Sequence, residues 1–435
     1  MAFSSHSELF EFMKDHSATR VLLKFLSEND NSKNQIYLGG SFRALNQVPF
    51  GEIRQDTSAH TPNYKAPVEL RWISKNKDIA MAPAAQLILY PDYPEVRLSG
   101  FLRGCSAAPS QLMKPIPRSA RTGHPDGRIL ALAVCPDDTL LGYIASPTSD
   151  VAKTLREDRS IRWSNDSIFT SIDIGRSAES KTLLLLALGD VVTMAWHFSC
   201  RLNSRGELVQ YGGQNAGGYT LEALLGVTPN SVPGPDILGW EIKAYTQGKI
   251  TLMTPEPDGG VYQVSGVVEF LNRFGHEADS DTRYFTGTYR IGVRRPERGL
   301  TLRIVGYDLQ SGKILQPDGG IALVTDDGEF AAVWSYPRLI KHWARKHDRA
   351  AYVHYESRQS SSGKEFRYLS DILLGEGTEF SLFMNALARG TIVYDPGTRL
   401  RLDPSGKIEV KKRNQFRVNL AGLRELYHSF RSQMV

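Results

Sequence analysis

Cysteine is scarce in this chain. Three residues in 435, Cys105, Cys135 and Cys200, lie far apart and are odd in number. Such a set builds neither a disulfide framework nor a zinc site. That excludes the small secreted scaffolds and makes a reducing, cytoplasmic setting the expectation. Long hydrophobic runs are missing too. The longest, residues 183–196, is interrupted by Gly189 and Asp190, so no membrane span is expected. The first six residues, through His6, lack a signal-peptide pattern. There is no long repeat and no low-complexity tract. Charge of one sign is barely in excess: 52 Lys+Arg against 47 Asp+Glu leave +5. That permits a polyanionic partner without demanding one. What the chain does have is 41% apolar and 23% charged residues, enough for sizeable cores. Its 435 residues imply two or three domains.

One stretch carries chemistry: Pro235, Asp236, Ile237, Leu238, Gly239, Trp240, Glu241, Ile242, Lys243. From Trp240 the pattern alternates as in a strand. Trp240, Ile242 and Ala244 share one face, Glu241 and Lys243 the other. Asp236 enters from the preceding turn, five residues ahead of Glu241. Two carboxylates and an ammonium on a strand edge suit a hard divalent cation and an attacking water. An acid-x-Lys pair is also common on exposed strands as a weak, solvated ion pair. Three features favour the catalytic reading: the Pro-Asp spacing, the apolar back face, and a third acid. That acid, Glu222, lies fourteen residues before Asp236. It sits in a short predicted helix that starts at Thr220 and stops at Gly226.

These residues resemble the MvaI/BcnI restriction endonucleases, themselves related to the mismatch-repair nickase MutH. The resemblance rests on residues 218–226, Pro235-Asp236, Glu241-Ile242-Lys243 and Thr251-Leu252-Met253-Thr254. It also takes in Ala195-Trp196-His197 upstream and residues 412–417 downstream, so it spans roughly 179–435. It implies a PD-(D/E)xK nuclease cutting double-stranded DNA with Mg²⁺. Asp236 and Glu241, with the Ile242 carbonyl, would ligate the metal. Lys243 would position the water, and Glu222 would assist as a further metal or water contact or by orienting Lys243. Thr254, Lys412, Arg413, Gln415 and Arg417 would contact DNA. Residues 411–417 combine phosphate-binding charge with base-reading amide and guanidinium groups. Such a basic strand could equally be a solvated sheet edge.

The N-terminal part alternates short strand-like runs, 20–26, 68–73, 86–90, 95–102, 129–133 and 140–145, between Gly, Pro and Asp punctuation. This predicts a β-rich domain. Residues 27–38 are mostly polar. They read either as a plain turn or as a loop touching base edges through Asn29, Asp30, Lys33 and Gln35. Leu26-Ser27-x-Asn29-Asp30 followed by Gln35-x-Tyr37, and residues 96–101 with Arg97, resemble the EcoRII N-terminal recognition domain. That fold is a DNA-binding pseudobarrel, also found in plant transcription factors. The loop here lacks that domain's Gly-rich His-Gln version. Residues 114–128 carry Lys114, Arg118, Arg121, His124 and Arg128, either a phosphate-contacting arm or a solvated loop.

The expected organisation is α+β in two domains: a pseudobarrel over 1–150, a linker over 151–178, and a mixed α/β nuclease over 179–435. Helices are predicted over 7–14, 149–157, 181–195, 336–349 and 378–389, and strands over 287–293 and 301–307. His276, His342 and His347 are not assigned to metal, since a lone His-Glu loop pair is usually solvated and residues five apart on a helix share a face poorly. The pairing of domains resembles a UbaLAI-like type II restriction enzyme acting on a GC-bordered site such as CCWGG or CCSGG. It would act as a monomer or transient dimer and be matched by a cognate methyltransferase. The alternatives are a MutH-like strand-specific nickase and a catalytically inactive DNA-binding regulator.

Overall fold

The computed structural model describes the chain except residues 1, 29–34, 59–60, 122–123, 164–167, 175–179, 229–234, 362 and 404, and the side chain of residue 345. It divides into two compact units, Met1–Ser180 and Lys181–Val435.

The first unit is β-rich, as the alternating runs imply. A six-stranded sheet runs in the spatial order Thr170–Asp173, Arg20–Ser27, Pro125–Val134, Leu140–Ala145, Leu70–Ile73, Ile79–Met81. A five-stranded sheet runs Gln35–Tyr37, Glu95–Ser99, Gln86–Tyr90, Asn63–Pro67, Arg54–Asp56. Helices His6–Asp15 and Asp150–Glu157 bring Leu9, Met13, Val151 and Leu155 into one core with Val21, Leu23, Ile129 and Ala131 of the first sheet. Both helices start where a serine can cap them. The Ser5 and Ser149 hydroxyls accept from the backbone N–H groups of Glu8 and Ala152.

The second unit is built round a mixed sheet. Its elements that matter here are α1 (Ser180–Thr193), β1 (Trp196–Phe198), α2 (Ala216–Leu224), β2 (Glu241–Tyr245), β3 (Lys249–Met253), α3 (Tyr336–His347), β4 (Arg349–Ser360), β5 (Gly363–Glu376), β6 (Phe416–Asn419) and β7 (Ser429–Met434). The sheet runs β1-β5-β4-β2, with β7 also paired to β5. Strand β2 lies at its edge and pairs with β4 in parallel, Glu241 opposite Ala350 and Lys243 opposite Tyr352. A parallel pair needs a long crossover. Here the crossover holds two complete small sheets, lends strands to two more, and ends in α3, which leads straight into β4. Trp240 and Ile242 pack with Leu184, Leu188 and Val191 of α1 and Leu221 of α2. Burying side chains of this size is worth roughly 1.5–3 kcal/mol each, which fixes the face that β2 turns to the helices.

Two expectations need correction. Residues 287–293 form no strand. They make isolated bridges at Tyr289 and Ile291, and the strand lies just before them, at Thr282–Thr286. Gly287 has φ +132° and Gly292 +75°, values that break a regular ladder. Helix α2 does not begin at Thr220. It starts at Ala216, and the Thr220 hydroxyl, fully buried, bonds the Cys200 backbone instead of capping. Gly217 lets the helix approach, since a Cβ there would meet the Tyr355 ring at 2.4 Å. The Tyr368 hydroxyl donates to the Gly217 carbonyl at 2.7 Å.

Candidate active site

The site begins with a tight turn. Ile237 and Trp240 exchange both backbone hydrogen bonds, at 3.1 and 2.8 Å, across Leu238 and Gly239. Leu238 has φ +56° and Gly239 +79°. Two successive positive φ values are those of a type I′ hairpin turn, which normally takes Asn-Gly or Gly-Gly. A leucine in the left-handed region costs about 1–2 kcal/mol. The consequence is positional. Once Ile237 faces Trp240, the next residues outward along the two arms are Asp236 and Glu241.

The Asp236 carboxylate then turns inward and accepts the Ile242 N–H at 2.8 Å. Glu241 is 1% exposed. Its Oε1 pairs with the Lys243 ammonium, and Lys346 Nζ of α3 stands 3.3 Å from the same oxygen. Its Oε2 is buried with no hydrogen-bond partner. Glu222 reaches the group from α2. The structure therefore brings together all four expected catalytic residues.

Electrostatics separate their roles. Burial pushes the Glu222 carboxyl up to about 7, and Asp236 beside it adds repulsion. Burial likewise raises Asp236 to about 6, with Glu241 the main repelling charge. Burial works on Glu241 in the same sense, but Lys243 and Lys346 outweigh it and hold the carboxyl below its usual range. Burial disfavours the Lys243 ammonium, yet the Glu241 charge outweighs it and raises the lysine. So Glu241 and Lys243 are a charged pair, while Glu222 and Asp236 are carboxyls that burial, with repulsion added, keeps partly protonated near neutral pH.

This arrangement fits a hard cation. Among the described residues no three His, Cys, Asp or Glu side chains enclose an ion by themselves. A Mg²⁺ site needs only one or two carboxylates, completed by a backbone carbonyl, water and phosphate. The unpartnered Glu241 Oε2 and the repelling Asp236 carboxyl are the oxygens such an ion would relieve.

Two neighbours lie outside the expected catalytic set. Lys346 lies in the last turn of α3, the helix expected over 336–349. His347 is fully buried, stacks on Trp343 at 4.3 Å, and neither ring nitrogen has a partner. Burial drives it down to about 3, so it is neutral.

The expected DNA contacts fall into groups. Asn29, Asp30 and Lys33 lie outside the described residues. Gln35 accepts from Arg97 at 3.1 Å, and Arg97 also pairs with Glu95 at 2.6 Å. Thr254 is exposed just after β3. Lys412 pairs with Glu256 at 2.8 Å, and Gln415 donates to the Thr251 hydroxyl at 3.3 Å. Arg413 lies against Gly397. Arg417 spans Asp395 at 2.8 Å and the Lys249 carbonyl at 2.6 Å, which ties β6 to β3. The last four cluster around the strand pair of β3 and β6, 160 or so residues apart in the chain.

Carboxyls gathered at a strand edge in a mixed α/β unit suit hydrolytic chemistry. The sequence profile of the MvaI/BcnI restriction endonuclease family matches residues 190–427, more than half of the chain, and the protein belongs to that family. It is a type II site-specific endonuclease. Among solved structures, the chain is similar to the restriction endonuclease MvaI in complex with its cognate DNA substrate. That match has a TM-score of 0.47 and 18% identity, over 60% of this chain and 99% of that one. MvaI without DNA also matches, with a TM-score of 0.34 and 17% identity over the same shares. No curated protein matches. Among the described residues no helix is long and apolar enough to cross a membrane.

Proposed function

We propose that the centre on β2 is a Mg²⁺-dependent PD-(D/E)xK site that hydrolyses both strands of a short GC-bordered sequence such as CCWGG or CCSGG. The observation that carries this is the type I′ turn, which brings Asp236 beside Glu241 while Lys243 sits two residues on along the strand. Asp236 and Glu241, with the Ile242 carbonyl, would hold the ion. A bound Mg²⁺ supplies charge for the phosphate and lowers the pKa of the attacking water. Lys243, kept as an ammonium by Glu241, orients the water and offsets charge on the scissile phosphate instead of taking a proton. Glu222, with its carboxyl near 7, assists at the water side.

The first unit serves as a recognition domain of the EcoRII N-terminal pseudobarrel type, giving a UbaLAI-like pairing. The enzyme works as a monomer or transient dimer in the cytoplasm beside a cognate methyltransferase. One metal centre per chain cuts one strand at a time, so the chain rebinds or pairs to finish the duplex. The test is incubation of a sequenced supercoiled plasmid with Mg²⁺ and mapping of the ends. Linear product with unique termini at a GC-bordered site is expected. Persistent nicked circles with strand preference on hemimethylated duplex would make it a MutH-like nickase instead. Intact plasmid at every metal concentration would make it an inactive binder.

A further inference from the structure

Lys346 stands out because Glu241 already has a lysine on its own strand. Glu241 carries one negative charge, and Lys243 already pairs with its Oε1. Lys346 Nζ adds a second ammonium at 3.3 Å from the same oxygen, while Oε2 has no partner. A buried carboxylate is well satisfied when both oxygens are hydrogen-bonded to one counter-charge. Here two cations crowd one oxygen and repel each other, and the other oxygen is left bare. Lys346 can therefore leave Oε1 without stripping Glu241 of its counter-charge, since Lys243 stays paired to it.

The mount of Lys346 is rigid and its tip is open. Leu339, Ile340 and Trp343 of α3 are buried, and Trp343 Nε1 donates to the Glu379 carbonyl at 3.2 Å. The Lys346 side chain remains 28% exposed. Its place in the last turn puts the ammonium at the helix end where cations are favoured. The parallel pairing of β2 with β4 then fixes that helix end over the edge strand.

We infer that Lys346 is a second lysine of the catalytic centre, which holds Glu241 when no divalent cation is bound and turns to the scissile phosphate once a cation takes the carboxylate. This rests on the proposed metal-assisted cleavage. Lys346 thus competes with the cation in the free protein and adds a positive charge to the phosphate during cleavage. A merely structural ion pair would do neither, and its loss would weaken both metal binding and turnover.

The test uses the full chain, wild type, K346A and K346Q. Mn²⁺ affinity is measured by calorimetry without DNA, and single-turnover cleavage of a plasmid is measured at saturating enzyme and Mn²⁺. K346A should bind Mn²⁺ roughly 3–10-fold tighter, because a competing surface-accessible cation is gone. Its cleavage rate should nevertheless fall about 10²-fold, the usual cost of one positioned charge-stabilising group. K346Q keeps most of the stem length and should behave alike, which covers the case of a poorly folded alanine variant. Unchanged or weaker Mn²⁺ affinity in the folded variants, or an unchanged cleavage rate, overturns the inference. A wild type that neither binds Mn²⁺ nor cuts DNA overturns the proposed function itself, and this inference with it.

Discussion

The two units treat their acids in opposite ways. In the first, every described carboxylate that departs from its ordinary range is lowered. Lys77 holds Glu8 down, Lys65 holds Asp56 down, and Ser160 does the same for Asp158. These are acids that have found partners. The second unit has such acids too, including Asp308 and Asp326. Among the described residues, only Glu222 and Asp236 are raised, and they sit beside each other. A fold selected only for stability would not bury two repelling carboxyls at a strand edge beside a leucine of positive φ. Unrelieved charge and backbone strain at one spot mark where stability has been given up for chemistry. The contrast favours the second unit as the place of the reaction; among the described residues the first holds no comparable group.

The hardest test of that contrast is removal of the centre. Asp236→Ala or Lys243→Ala should lower cleavage at least about 10³-fold and leave DNA binding within a few-fold, because these groups act on metal and water and not on bases. Single-turnover cleavage paired with a gel-shift titration checks both halves. Near-normal cleavage by either variant would remove the assignment.

The next test separates the units. The fragment 181–435 contains every residue of the centre, so it should still cut. Loss of a tethered DNA-binding module should weaken apparent affinity by about 10–100-fold and leave the rate at saturating DNA within a few-fold. A folded fragment that is inert at saturating DNA and metal would mean that the first unit completes or activates the site.

Within the second unit, Gln415 and Arg413 differ from Arg417. Arg417 is engaged by Asp395 and the Lys249 carbonyl, whereas Gln415 makes one long bond to Thr251. Gln415→Ala or Arg413→Ala should therefore narrow the ratio of cognate to scrambled binding by about 1–3 kcal/mol, the worth of a bidentate base contact. Competition binding with the two duplexes measures it. An unchanged ratio in both variants would show that the segment only touches backbone.

Some of this was legible in the chain and some could not be. The strand from Trp240, the acid-x-Lys pair and the Pro-Asp entry follow from alternation and spacing. The turn between them did not announce itself, because Leu238-Gly239 is a weak hairpin signal beside Asn-Gly. The start of α2 was misplaced because Gly217 and Gly218 depress helix propensity, while Thr220 looks like a cap and is spent on Cys200. Lys346 lies 103 residues beyond Lys243, and only the parallel pairing of β2 with β4 brings it back. No local pattern encodes a contact made by a crossover of that length. His347 was judged by its spacing to His342, which says nothing about burial against Trp343.

The smallest expected effect bears most directly on the contrast between the units, since it asks whether the centre is a strained place. Burial raises the folded Asp236 carboxyl from its ordinary 3.8 to about 6. A carboxyl raised on folding contributes stability that is fully present below its unfolded value and is lost as pH rises through the folded one. At pH 8 without metal the native protein therefore carries the whole penalty of an ionised Asp236. Asp236→Asn removes the charge, keeps an oxygen for the Ile242 N–H, and should raise stability at pH 8 by roughly 1–2 kcal/mol after allowance for partial solvent exposure. The gain should shrink between pH 6 and 4 and vanish below the unfolded value, where both side chains are neutral. Saturating Mg²⁺ should reverse the order, because only the wild type gains from binding the ion. Chemical denaturation of both proteins at pH 8 and pH 4, without and with Mg²⁺, measures all of this. An asparagine variant no more stable than the wild type at pH 8 would show that the acids of the second unit are as well satisfied as those of the first, and the contrast would fail.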